Sequence, residues 1–131
     1  MVGTSNIAPN AVTAAAGDVL PGSGSVEITL VHGTGSPRVT VEALGKVFTG
    51  TATDSAYVQF VLRNVTDNAD IDTFLVYSKT TPAAGAAKIT GQMTHIFFPP
   101  TGRTQTVFRL TATPFGATPS NSTLSAEASK R

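Results

Sequence analysis

His32 and His95 are the only histidines of the chain, and cysteine is absent, so a Ser–His–Asp arrangement would have to use one of these two residues. A serine nucleophile is expected in a Gly-x-Ser-x-Gly elbow, which the sequence does not contain. Two histidines that are distant in sequence also make a poor zinc site. Because His95 shares its strand parity with Met93 and Phe97, we expect a core or interface histidine, held by a hydrogen bond.

The acidic residues suggest two further kinds of chemistry. Residues 67–72 hold three Asp and one Asn, whose oxygens are ligands that Ca²⁺ accepts. The fixed glycine and distal glutamate of a calcium loop are missing, and Asp and Asn are ordinary turn residues, so a turn is favoured. Glu27 and Glu42 could form the acid pair of a glycosidase, but each lies on the polar side of an alternating run. We therefore predict no enzymatic activity, no cofactor and no metal.

The remaining motifs are weak. Asn64-Val65-Thr66 and Asn121-Ser122-Thr123 match the glycosylation sequon, but the chain shows no secretory signal pattern and we expect neither to be modified. Arg63, Arg103 and Arg109 form no basic run. We expect these arginines to decorate the polar faces of strands or to form ion pairs across a subunit interface.

The charge content is low for a chain of this size. Its 131 residues correspond to one domain, with 13% charged residues and a formal net charge of +1; about 25% is usual. So little positive charge argues against a protein held on nucleic acid by phosphates. No apolar stretch reaches the roughly 18–20 residues of a membrane span. The surface of the folded domain must therefore consist largely of neutral side chains, or part of it must be buried against another protein.

The elements that would position these residues fall into three segments. Residues 1–24 contain no Lys or Arg, one acid (Asp18), and several Pro and Gly that interrupt helices, which predicts an extended N-terminal arm. Residues 25–115 form the predicted β domain. Residues 116–131 are polar and small, which predicts a loose C-terminal tail.

Hydrophobic residues alternate with polar ones throughout the predicted β domain, as in half-buried strands. A bend is expected at Gly45, and Pro99–Gly102 is expected to join two long strands as a hairpin. We predict an all-β fold, an antiparallel β-sandwich or jelly roll of about seven or eight strands. The clearest runs are 26–30, 38–43, 57–62, 73–77, 88–98 and 104–113.

Two segments resemble bacteriophage virion jelly-roll proteins, of the capsid decoration (cement) or fibre-head type. The leader SNIAPNAVTAAAG carries the matching residues, and TGRTQTVFRLTAT resembles the closing strand of such domains. The resemblance implies a structural protein of the virion without catalytic activity, assembled as a homotrimer on the capsid surface. The matching leader residues are Ile7, Pro9, Asn10, Ala11, Val12 and Thr13.

Our hypothesis is a capsid decoration or cement protein that binds and stabilises a phage head through its arm and its oligomeric β domain. The partners would be further copies of the chain and the major capsid protein or another virion protein, with no nucleic acid and no membrane. An extended arm with few charges can lie along a neighbouring protein. The residues expected to make this attachment are Ile7, Pro9, Val12, Val19 and Leu20.

The alternative is the receptor-binding or carbohydrate-binding head of a phage head or tail fibre. Recognition would then be expected at two exposed tips, Asp67–Asp72 and Pro99–Arg103.

The arm hypothesis predicts the result of a deletion. Removal of residues 1–20 should leave the β domain folded and abolish its sedimentation with phage heads. Retained binding would contradict attachment through the arm.

Overall fold

A computed structural model describes residues 12–35, 37–48, 56–77 and 88–130. These residues form eight strands and no helix, which confirms the predicted all-β sandwich. Sheet A has the strand order β1-β8-β3-β6 and sheet B the order β2-β7-β4-β5. The strands are β1 (Val12–Leu20), β2 (Gly24–Val31), β3 (Arg38–Phe48), β4 (Tyr57–Asn64), β5 (Ala69–Tyr77), β6 (Lys88–Phe97), β7 (Gln105–Phe115) and β8 (Ser122–Ser129).

The strand pairing is nested along the chain. The first strand pairs with the eighth, the second with the seventh, the third with the sixth and the fourth with the fifth, all antiparallel. Further pairing of β3 with β8 and of β4 with β7 completes the two sheets. A long antiparallel hairpin rolled into two packed sheets is the jelly-roll arrangement.

Alternation of apolar and polar residues builds the core between the sheets. In β4, Val58, Phe60 and Leu62 are fully buried, and the intervening side chains are half-buried on the outer face. Leu30, Phe108, Leu110 and Leu124 are fully buried as well. Each such side chain contributes about 1.5–3 kcal/mol through removal of apolar surface from water.

Gly45 does not bend its strand as expected, since β3 continues from Arg38 to Phe48. A Cβ built at Gly45 would lie 2.5 Å from the ring of Phe60. That ring stacks on Phe74 of the same sheet with a centroid distance of 5.1 Å. The glycine therefore provides the space that the largest core side chain of β4 occupies.

Both predicted terminal segments contribute strands, so the predicted domain boundaries at 24 and 116 are wrong. Residues 12–20 of the arm are the edge strand β1, and residues 122–129 of the tail are β8, which lies between β1 and β3. The sequence does not show this tail as a core strand because, apart from Leu124, its buried positions carry small residues, including Ala126 and Ala128. Deletion of residues 1–20 would remove β1, so we now expect it to destabilise the sandwich.

The predicted hairpin at Pro99–Gly102 is also wrong. The turn exists, with a hydrogen bond from Arg103 N–H to the Pro100 carbonyl (3.1 Å). The strands on its two sides belong to different sheets, because β6 pairs with β3 and β7 pairs with β2 and β4. The turn is therefore a crossover between the two layers.

The close approach at Gly45 predicts a large effect of one added methyl group. Gly45→Ala should lower the free energy of unfolding by about 1–3 kcal/mol, because the Phe60 ring must leave its place in the core. Gly22→Ala is the matched control, since a Cβ at Gly22 meets nothing within 4 Å. Urea unfolding of the two variants measures the difference, and equal stabilities would contradict the packing described.

Candidate functional site

The structure divides the predicted attachment residues into three groups. Ile7 and Pro9 lie outside the described residues. Val12 and Val19, near the two ends of β1, are 55% and 48% exposed. Leu20 is 5% exposed and belongs to the core, so its assignment to a partner surface is wrong. Its side chain is already packed inside this domain.

Strand β1 is an edge strand with one open side. It pairs with β8 over almost its whole length, and no other strand of the described residues pairs with it. Its central residues, Ala14–Gly17, have small side chains, and Asp18 is its only charged residue. The Asp18 carboxylate accepts a hydrogen bond from the N–H of Val19 at 2.8 Å. The edge thus combines open backbone groups, small side chains and an exposed valine near each end.

The two histidines belong to different sheets, because His32 follows β2 of sheet B and His95 lies on β6 of sheet A. His32 is buried, and its ring nitrogens contact the Thr106 hydroxyl (2.9 Å) and the Gly33 carbonyl (2.8 Å). These contacts tie the end of β2 to β7. His95 is half-buried on β6, opposite Val41, at the other side of the sandwich. His32 is thus a buried, hydrogen-bonded histidine, whereas for His95 the structure shows half-burial, and its expected hydrogen bond stays a prediction.

Glu27 and Glu42 cannot act as a pair of carboxylates. Glu27 lies on β2 in sheet B, where its carboxylate accepts a hydrogen bond from Arg109 Nε at 2.7 Å. Glu42 is exposed on β3 in sheet A. Since each side chain is on the outer side of its own sheet, the whole core separates the two acids.

The acidic loop is a turn closed by ion pairs. Arg103 donates two hydrogen bonds to the Asp67 carboxylate, at 2.6 and 3.0 Å, and so connects the β6–β7 crossover to the β4–β5 turn. Arg63 bonds Asp70 at 2.6 Å and also contacts Asn68. The Asp and Asn residues therefore serve the turn, as the preferred interpretation predicted. Arg63, Arg103 and Arg109 each form an ion pair with an acid of this chain.

A buried asparagine supports the same turn. Asn64 donates to the Asp67 carboxylate (2.8 Å) and accepts from the Asp67 N–H (3.0 Å). Its burial and its two hydrogen bonds make the first sequon inaccessible in the folded domain. Thr66 accepts a hydrogen bond from the N–H of Val107 at 2.8 Å, which anchors the turn to β7.

The electrostatics of this turn follow from its geometry. Hydrogen bonds from Arg103 lower the pKa of Asp67 below its usual range; partial burial opposes this effect, and the positive charge of the guanidinium and the Asn64 side chain add to it. The same pairing raises the pKa of Arg103. The pair is consequently ionised at neutral pH.

Three aromatic side chains lie together on the outer face of sheet B, and the sequence analysis missed them. The ring centroids of Tyr57 and Phe115 are 4.9 Å apart and stacked, and those of Tyr57 and Tyr77 are 5.3 Å apart and tilted. The alternating pattern of β4 indicates that Tyr57 points outward, because the next residue, Val58, points into the core. The sequence does not indicate which residues of β5 and β7 lie beside Tyr57, since that depends on how the strands pair.

Two general findings bear on function. The described residues contain no group of three or more His, Asp or Glu side chains placed to hold a metal ion. They also form no helix long and apolar enough to cross a membrane.

Comparison with known proteins gives a likeness of fold. No family model matches the chain, and no curated protein matches it. Among solved structures, it is similar to dimeric latent PorU from Porphyromonas gingivalis, with a TM-score of 0.57 and 8% sequence identity. The similarity covers 94% of this chain and only 13% of the PorU chain. At that identity the likeness concerns the fold alone, and the chain is an eight-stranded β-sandwich domain of jelly-roll topology.

The ion pair at the β4–β5 turn predicts a pH-dependent contribution to stability. Because the pKa of Asp67 is lowered in the folded state, the pair stabilises the fold above the unfolded pKa of about 3.9. That contribution is lost as pH falls through the lower folded pKa. Arg103→Gln should lower stability by up to about 1 kcal/mol at pH 7.

Thermal unfolding of the wild type and Arg103→Gln at pH 7 and at strongly acidic pH tests this prediction. The difference in Tm should shrink in acid, where Asp67 is protonated in both proteins. Asp67→Asn should show the same loss of pH dependence. An equal difference in Tm at both pH values would contradict the assignment.

Proposed function

We propose that the chain is a non-enzymatic structural protein of the virion, a decoration or cement protein that binds a phage head through the open edge of β1. The observation that carries this proposal is the edge strand itself, with Val12 and Val19 exposed near its ends. The resemblance of the leader residues to virion proteins supports it, and jelly rolls recur in viral capsids.

An edge strand has a row of backbone N–H and C=O groups that can pair with another chain. Proteins usually protect such an edge with lysine, proline or a covering loop. β1 has no lysine or proline, and Asp18 is its only charge. A strand of a neighbouring protein can therefore approach closely, and the two valines add apolar contact area.

Attachment through β1 accounts for the low charge of the arm. A charged side chain at an interface must be desolvated or paired, whereas Ala, Gly and Val lose little when they are covered. In this proposal the β domain assembles as a homotrimer, and β1 contacts the major capsid protein or another virion protein. The capsid surface is the proposed location.

Substitution of the two exposed valines tests the proposal. Val12→Lys/Val19→Lys should leave the fold intact, because both side chains face solvent, and should reduce sedimentation with phage heads about tenfold or more by placing charge on the edge. Val31→Lys is the matched control, since Val31 is 62% exposed on β2, the edge strand of the other sheet.

The heads should come from particles that lack the chain, and circular dichroism should confirm folding of each variant. Equal binding by the edge variant and the control would refute attachment through β1. Light scattering of the purified wild type tests the trimer separately, and a monomeric mass at all concentrations would contradict that part of the proposal.

A further inference from the structure

The outer face of sheet B carries an ordered set of side chains at the end where β4 begins. Its first row crosses three strands, with Tyr77 on β5, Tyr57 on β4 and Phe115 on β7. The antiparallel register places Leu75, Gln59 and Thr113 beside one another in the next row. We refer to these six residues as the aromatic surface.

Among the residues that the structure describes, charge is absent from this end of the face. The row after the aromatic surface consists of Thr73, Val61 and Thr111, and the hydroxyl of Thr111 is 2.9 Å from that of Ser25. Charged residues of this face begin only one row further, with Arg63, Arg109 and Glu27. Aromatic rings, one amide and several hydroxyls therefore form a neutral surface about three strands wide.

The rings of the aromatic surface remain accessible. Tyr77 is 47% exposed and Phe115 is 46% exposed. Because Phe115 stacks on Tyr57 with one face, its other face is directed away from that ring. The surface thus offers the half-exposed ring of Phe115 together with two tyrosine side chains that carry phenol hydroxyls.

We propose that the aromatic surface binds the sugar rings of a neutral glycan. A pyranose ring has an apolar C–H face that packs on an aromatic ring and a rim of hydroxyls that need hydrogen-bond partners. Tyrosine supplies an apolar body and a polar tip together. Gln59 and Thr113 add an amide and a hydroxyl next to the rings, the combination of apolar lining and a few polar groups that orients small ligands.

Other occupants fit this surface less well. An anionic or cationic ligand would find no opposite charge within the first two rows. β4 is paired with β5 on one side and with β7 on the other, so a peptide could not add to the sheet at β4 beneath Tyr57. A second copy would need a surface of about 20–30 residues, and the exposed apolar group here consists of four side chains.

The chain contains a built-in reporter for this site. It has two tyrosines and no tryptophan, and both tyrosines belong to the aromatic surface. Tyrosine fluorescence therefore monitors this surface without any label. A glycan array carrying neutral and acidic oligosaccharides should first show binding to neutral members, and titration with a bound oligosaccharide should then change the tyrosine emission.

Tyr77→Ala and Phe115→Ala should each weaken glycan binding about tenfold or more while leaving the fold intact, because both side chains are largely exposed. Phe98→Ala is the matched control, since Phe98 is 51% exposed outside this surface, and its affinity should stay within about twofold. Val12→Lys/Val19→Lys should also keep full glycan binding. The proposal of a glycan site and the proposal of attachment through β1 can therefore be tested independently of each other.

Several outcomes would overturn the proposal. One is the absence of any neutral glycan signal on the array, and another is glycan binding that leaves tyrosine fluorescence unchanged. If Tyr77→Ala and Phe115→Ala instead lower the mass of the purified protein or its sedimentation with phage heads, the aromatic surface is a protein interface and not a glycan site.

Discussion

The pairing of β1 with β8 is the contact on which the rest of the fold depends. It joins segments at opposite ends of the described chain; the Thr13 hydroxyl, for example, donates a hydrogen bond to the Ala128 carbonyl 115 positions away. β8 then pairs with β3 on its other side and so links the first strand to the centre of sheet A. Contacts of such long range cost loop-closure entropy, which must be recovered from the core that they close. We therefore expect both β1 and β8 to be required for the stability of the sandwich.

Because the core is enclosed between the two sheets, the residues that can meet a partner lie on the outer faces and the edges of the sheets, and these surfaces differ in the side chains that they carry. On sheet B, ion pairs gather at one end with the β4–β5 turn, and aromatic rings gather at the other end. The ion pairs join acids and arginines of the chain to one another. The two surfaces proposed for partners, the open edge of β1 and the aromatic surface, contain a single charged residue, Asp18. Both use apolar contact and hydrogen bonds, consistent with the low overall charge.

The sequence predicted those parts of the fold in which local pattern and tertiary position agree. Val26–Leu30 and Tyr57–Leu62 alternate clearly because one side of each strand meets the core, and both lie in strands. β8 is hard to recognise from the sequence because Leu124 is its only large buried apolar residue, and its other buried positions carry Ala or Ser. The hairpin error at Pro99–Gly102 has a similar origin. A turn motif shows that the chain reverses, but it does not show whether the next strand joins the same sheet.

The candidate sites likewise divide into features that the local sequence predicts and features that depend on tertiary structure. By itself the amino-acid sequence determined the all-β class, the turn character of residues 67–72 and the scarcity of charge, because these follow from local periodicity and composition. Only the tertiary structure decided that Leu20 is core while Val19 is exposed, and that Tyr57, Tyr77 and Phe115 meet. Tyr57 and Tyr77 are 20 positions apart, and Phe115 is farther still. What brings them together is strand register, which depends on the long-range pairing of the two sheets and not on any local signal.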